Sequence, residues 1–465
     1  MKLNAKNPNK ILAKTITPGC SRSSPMSMKR NDDPQIQAAV SNKAQSWGAN
    51  AAWCAEAGGG LGVAGRPADE EDGEVVSDTA IRIPIQGVFS VAGQSRPQQL
   101  CAWDDFPVHQ TSEPIRYSAT SDRNFYDRYY FNAFARSGGP MIVFGFGQYP
   151  NLGVTDAFAV WTEGDVHRVV RASRPLSDRA DLHVGPLSVE VLEPLRSLRI
   201  RLAPNEWEFD FDLTWSAAGR AWLEPRHFVR SAGRVVFDTQ RLAQTGGWSG
   251  EVRIGSGAAR RSYVVEPHEW WGTRDRSWGV RPIGAAEPPG IHAVEPVMTG
   301  LWHYNPVRFD GFDVFHMCQE TNAGVRTLEE AVLVPHDPGA EPVELGRASS
   351  NFELIPGTRV AQGAKVSFSH TDTAVGASIS AEHLASCYIG VGTGYGLEAD
   401  WRHGMYQGPD LVVQGLDASV ADVAPLGQYV VVDHGTRWTA ESGLVGWGLH
   451  EHGFFGPFDA AGLTT

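Results

Sequence analysis

The chain has 465 residues, with 40 Lys and Arg against 53 Asp and Glu and a formal net charge of -13. That balance argues against a phosphate-backbone partner, so no nucleic acid is expected. The length suggests about two to four domains, and 51 Gly, 29 Pro, 15 Trp and 20 Phe describe turns and aromatic strand positions, a mostly β chain. The five cysteines, Cys20, Cys54, Cys101, Cys318 and Cys387, are scattered without a C-x-x-C pair. Neither a disulfide framework nor a thiolate zinc site is indicated, and a reducing, cytoplasmic location fits. No apolar run reaches the about eighteen residues of a membrane span, and the basic start breaks off before a secretion-signal core forms.

Residues 1–80 are dominated by Ser, Asn, Gly and Ala, with an acidic cluster at 69–74. They read as a disordered, low-complexity extension with one short helical possibility at 34–46. From residue 81 short strand-like runs follow, at 128–135, 140–147 and 156–161, joined at hairpin spacing by Ser137-Gly138-Gly139 and by 148–153. Further runs lie at 167–171, 187–192, 198–202, 207–215 and 221–228. Residues 206–215 alternate acidic with aromatic, which predicts a strand with one polar and one apolar face. The second half repeats the style at 299–304, 311–319, 329–334, 350–354, 365–370, 383–391, 429–432 and 443–450. So many short strands exceed one small sandwich and predict two β-barrels or sandwiches in tandem. The expected bounds are 81–282 and 283–458.

Near that junction, the seventeen residues from Glu266 to Pro282 hold three Trp, one His, two Glu, one Asp and three Arg. Asp275 lies between Arg274 and Arg276, three residues before Trp278. Flanking cations favour its ionised form and burial favours the protonated one. It is therefore either a general acid in a cavity lined by Trp270, Trp271 and Trp278, or an anchor locked to Arg274, Arg276 or Arg281. His268, His303, His403, His450 and His452 each adjoin an aromatic, an acid or an arginine. His303, in Trp302-His303-Tyr304, is the best candidate partner for Asp275, with a satisfied core histidine as the alternative. His450 and His452 share one strand face, but no third ligand is fixed by spacing, so no metal is expected. Asp400-Trp401-Arg402-His403 follows a glycine-rich turn that lacks the Gly-x-Gly-x-x-Gly spacing and a following helix, so no nucleotide site is read there.

Asp275-Arg-Ser-Trp-Gly279 resembles the Asp-x-x-Trp-Gly-type signature of the AttH-like and carotenoid 1,2-hydratase-like proteins. Trp302-His-Tyr-Asn-Pro306 and residues 392–404 and 446–453 are similar to a large bacterial branch of that superfamily. The resemblance runs from about 81 to 458 and implies an all-β chain of two tandem lipocalin-like antiparallel barrels with a pocket for a hydrophobic, isoprenoid-like ligand. In the hydratases a carboxylic acid protonates an alkene and water quenches the cation. Asp275 matches that acid. Thr273 stands where the hydratases have Tyr, and Trp248 keeps the Trp but not the His of their upstream pair. Two functions follow as expectations. One is a cofactor-independent hydratase, dehydratase or isomerase acting on a terpenoid, steroid or lipid-like molecule, with Asp275 and His303 catalytic and Trp248, His268, Trp270, Trp271, Arg274, Trp278, Trp302, Tyr304, Trp401 and His403 around the ligand. The other is a non-catalytic tandem-lipocalin lipid carrier in which the same polar cluster closes the pocket.

Overall fold

The computed structural model describes residues 12–14, 100–231, 233–288 and 298–464. The extension expected over 1–80 lies, apart from 12–14, outside the described residues. In chain order the strands are β1 (Leu12–Lys14), β2 (Phe125–Ala135), β3 (Met141–Tyr149), β4 (Val154–Glu163), β5 (Val166–Pro175), β6 (His183–Val184), β7 (Leu187–Glu193), β8 (Ser197–Leu202), β9 (Phe209–Ala217), β10 (Trp222–Leu223), β11 (His227–Ser231) and β12 (Arg234–Ile254). They continue as β13 (Arg261–Val265), β14 (Trp270–Val280), β15 (Gly300–Arg308), β16 (Phe312–Glu320), β17 (Arg326–Pro335), β18 (Val343–Glu344), β19 (Ala348–Leu354), β20 (Ala361–Phe368), β21 (Ser378–Cys387), β22 (Val412–Ser419), β23 (Val432–Ala440) and β24 (Val445–Phe455).

Two antiparallel sheets result. The first runs β1-β22-β5-β4-β3-β2-β14-β12-β9-β8-β7-β6, with β10, β11 and β13 also paired to β12; the second runs β18-β17-β16-β15-β24-β23-β21-β20-β19. Both curl, as contacts between strands remote in sheet order demonstrate. Phe144 on β3 meets Phe211 on β9 edge-on at 6.2 Å, and Phe352 on β19 meets His303 on β15 at 4.8 Å, with four strands between them in the sheet. This is the tandem lipocalin-like architecture that the motifs imply. One strand crosses over: β22, from the later part of the chain, adds to the first sheet beside β5.

Alternation along each strand decides what the sheets enclose. On β9, Phe209, Phe211, Leu213 and Trp215 enter the first core. The acidic positions between them are matched by cations, Asp212 by Arg199 at 2.6 Å and Asp210 by Arg253 at 2.6 Å. A second apolar cluster joins the sheets face to face, with Tyr130, Phe134, Phe158 and Val160 from the first against Tyr304, Phe315, Met317 and Leu449 from the second. The cavity described next lies in that seam. No helix among the described residues is long and apolar enough to cross a membrane, and Cys101, Cys318 and Cys387 are free thiols.

Candidate functional site

β14 carries the site because its two faces differ. Odd positions, Thr273, Asp275 and Ser277, turn toward the second sheet; even positions, Trp270, Arg274 and Arg276, turn into the first. Glycines let the strand fit. A Cβ on Gly272 would stand 2.0 Å from the Asn132 carbonyl oxygen, and Gly279 takes a φ of +125° with Asp238 against it.

Asp275 faces a cavity of about 330 Å³ between the sheets, within the range of small-molecule sites. Its wall is aromatic (Tyr126, Tyr129, Tyr130, Tyr395, Trp302) with Glu224, Arg241 and Glu451 among the rings. Among the described residues no hydrogen bond or ion pair holds the Asp275 carboxyl. The neighbouring arginines are engaged elsewhere: Arg276 pairs with Asp127, and Arg274 donates from Nε to Gln244 at 2.9 Å. Burial, reinforced by Glu224 and Glu451 and opposed by Arg241 and Arg128, pushes the Asp275 carboxyl up to about 7.

The wall beside Asp275 is organised around Arg241 on β12, the strand paired with β14. Its Nε donates to Glu224, and its guanidinium lies 4.3 Å from the Tyr304 ring centre and 5.2 Å from that of Trp302. The Trp302 indole N–H donates to Glu451. Glu451 and Asp433 are cross-strand neighbours on β24 and β23, and Tyr130 donates to Asp433. Burial beside Glu451 drives the Asp433 carboxyl well above the usual range.

Of the residues singled out from sequence, Asp275 and Trp302 line the cavity, with Tyr304 beneath Arg241. Trp271 shares the face of Asp275 but is clamped between Arg136 at 4.2 Å and Arg308 at 3.9 Å. The expected pairing of Asp275 with His303 does not form. Trp302 and Tyr304 point into the seam, so alternation sends His303 to the other face, where Nδ1 meets Ser350 Oγ at 2.8 Å. Trp248 and Trp270 are in the first core, Trp278 borders a separate recess with Phe125 and Asp238, and His268 is exposed beside Glu266 at 3.4 Å. Trp401 is buried under the Arg171 guanidinium at 4.2 Å. His403 is buried one layer behind the cavity, stacked on Phe158 and edge-on to Tyr395. The imidazole that does line the cavity is His227, stacked on Phe237 at 5.0 Å. Sequence reasoning missed Arg128, Glu224, Arg241, Tyr395 and Glu451. Glu451 was within reach, because the rule that puts His450 and His452 on one face puts Glu451 on the other. Among the described residues no three His, Cys, Asp or Glu side chains are grouped to hold a metal.

Among solved structures, the chain is similar to a putative AttH from Nitrosomonas europaea, at TM-score 0.43 and 11% identity over 74% of this chain and 97% of that one. It is similar to CghA with Sch210972, at TM-score 0.41 and 12% identity over 72% and 89%. It is also similar to kievitone hydratase from Nectria haematococca, at TM-score 0.39 and 12% identity over 70% and 88%. No curated protein matches the chain. Residues 100–464, which hold both sheets but for β1 and the whole cavity, match a family of unknown function, DUF8625, and the chain belongs to that family.

Proposed function

We propose that the protein is a cofactor-independent acid catalyst, a hydratase, dehydratase or isomerase, acting on a hydrophobic small molecule in the cavity between the sheets. The observation that carries this reading is the Asp275 carboxyl, unpaired in an aromatic cavity. With its pKa near 7, a large fraction carries a proton at neutral pH, as a general acid requires. That proton adds to an alkene carbon, or to a hydroxyl that leaves as water. The cation that develops lies among the ring faces of Tyr130, Tyr395 and Trp302. Glu451, in the wall from the second sheet, receives the proton given up by attacking water or by a neighbouring C–H. In this reading Glu451, not His303, is the partner of Asp275.

The test is to incubate wild type and Asp275→Asn with an apolar extract of the source cells, then identify what each retains and releases by native mass spectrometry and solvent extraction. Wild type is expected to give a product that differs by one water or by isomerisation. Its turnover should decline as pH rises through about 7, where Asp275 loses its proton, while the variant binds without converting. If both proteins return the same unaltered compound, catalysis by Asp275 is abandoned and the protein is a carrier.

A further inference from the structure

Two guanidiniums in the cavity wall, those of Arg128 on β2 and of Arg281 just after β14, have no carboxylate partner among the described residues. Of the neighbouring cations, Arg241 is matched to Glu224, Arg276 to Asp127 and Arg171 to Glu398 at 3.3 Å, while Arg274 donates to Gln244 on the other face of β14. Arg128 and Arg281 converge instead on one neutral acceptor. Arg128 Nη1 donates to Nδ1 of His403, and Arg281 Nη2 reaches the same nitrogen at 3.4 Å. Since a guanidinium can only donate, His403 must keep its proton on Nε2 and stay uncharged. Burial and the two cations hold its pKa well below the ordinary value.

Arg128 is only 4% exposed, and the Nε atoms of both arginines are buried without a partner. The carboxyls whose charge Arg128 feels are Asp156 and Asp275, and neither makes an ion pair with it. Asp156 accepts instead from the Tyr149 hydroxyl at 2.9 Å and the Gly404 amide at 2.6 Å. Two like charges that share a neutral acceptor in a buried wall are costly unless an anion joins them, and paired guanidiniums suit a planar carboxylate. Burial pushes the Asp156 carboxyl up while Arg128, its Gly404 and Tyr149 donors and Arg281 pull it down, and since it can offset at most one of the two charges, at least one positive charge is left for an anion to balance. Tyr126 lies 4.7 Å beneath Arg281 and Tyr395 5.8 Å from Arg128, so rings also set the orientation of both forks.

We propose that the ligand of this cavity is an amphiphile with a carboxylate held by Arg128 and Arg281, its apolar body running along Tyr130 and Trp302 toward Asp275. This inference rests on the cavity being the ligand site, as proposed above, but not on Asp275 doing chemistry.

The experiment is titration calorimetry of the full chain with octanoate, dodecanoate and geranate, each against its matching alcohol, and with dodecyl phosphate. The best-bound acid is expected to bind about tenfold or more tighter than its alcohol, the scale of charge-assisted hydrogen bonds. Dodecyl phosphate should bind no tighter than dodecanoate. Arg281→Gln, at a half-buried position, and Arg128→Gln should each remove most of that preference and keep the alcohol's affinity, which also reports that the variant is folded. Equal affinity for acid and alcohol, no binding by any acid, an unchanged preference in Arg281→Gln, or much tighter binding of the phosphate would each overturn the proposal. Asp275→Asn should keep the acid preference. If it does while wild type converts nothing, the acid-catalyst reading falls and the carboxylate site stands.

Discussion

The interiors of the two sheets are filled by different chemistries. The first holds Trp161, Trp215, Trp248, Phe131, Phe144 and Phe211, all but fully buried and meeting largely edge-on, as Trp215 and Trp248 do at 5.1 Å. The second has an apolar end around Val307, Phe368 and Trp438, but beside it lie six imidazoles: His303, His316, His383, His434, His450 and His452. His383 stacks on His434 at 3.7 Å, and His383 Nε2 meets His450 Nδ1 at 2.7 Å. Burial pushes all six well down, His316 and His452 to about 3 and His383 to about 4. Nε2 of His316, His434 and His450 has no partner. One architecture thus closes over two fillings. The aromatic filling stabilises through apolar area; the imidazole filling gives up part of that and makes the second sheet sensitive to acid.

The largest effect that separates the two interiors is expected from truncating an aromatic. Trp248→Ala removes the indole that packs on Phe131 and Trp215 and donates to the Asn132 carbonyl at 2.9 Å. It should cost about 3–5 kcal/mol in urea unfolding at neutral pH. His316→Leu, of similar volume, removes the unpartnered buried Nε2, whose desolvation costs about 1–3 kcal/mol, and with it the Nδ1 that accepts from Asn305 at 2.7 Å, leaving Asn305 its contact with His303 at 2.9 Å. The two changes offset, so stability should stay nearly unchanged. Equal losses in the two variants would mean that the imidazole interior is as well satisfied as the aromatic one.

This contrast was half legible in the sequence. Alternation on 206–215 foretold both the apolar and the acidic face of β9, and the strand-like runs foretold two β units. The longest strand, β12 (Arg234–Ile254), was missed because Gly246, Gly247 and Gly250 interrupt its apolar pattern, although close backbone approach is what they permit. β22 was missed because a single strand that returns to the first sheet has no local mark. In the site, Asp275 stood out because its motif is local. Its surroundings come from six other strands, so Arg241 and Glu224 could be collected only by the fold, while alternation could have put Glu451 on the face opposite His450 and His452 but not beside Asp275. Of the six interior histidines only His303, His450 and His452 were singled out, because that alternation places six in one interior depends on which faces the sheet encloses.

A second way to sharpen the comparison is pH, because seam and interior respond with opposite sign. His316 titrates near 6.5 unfolded and about 3 folded. Its stability contribution is complete above the unfolded value and falls as pH drops, by about 2 kcal/mol between pH about 8 and about 5. Asp275 is raised to about 7 from an ordinary value of 3.8, so its contribution is complete below the lower value and is lost as pH rises. Discounted for its partial exposure, the Asp275 change over the same interval is also about 2 kcal/mol. Urea midpoints should therefore show Asp275→Asn gaining more over wild type at pH about 8 than at about 5, and His316→Leu gaining more at about 5 than at about 8. If both variants shift with the same sign of pH dependence, the division between seam and interior is wrong.

The smallest effect comes from the outer face of the second sheet. Arg437 on β23 pairs with Glu382 on β21 at 2.9 Å, and both side chains are largely exposed. Its strand neighbour Trp438 turns inward to the core, so a single step along β23 crosses from solvent to interior. Solvent and salt screen such a pair, and holding two long side chains in one geometry offsets most of the Coulomb gain. Arg437→Gln should change stability by less than about 1 kcal/mol, with the difference vanishing at high salt. A loss comparable to that of Trp248→Ala would show that this face of the sheet depends on its outer pairs, and the weakness of the second interior could then no longer be assigned to its histidines alone.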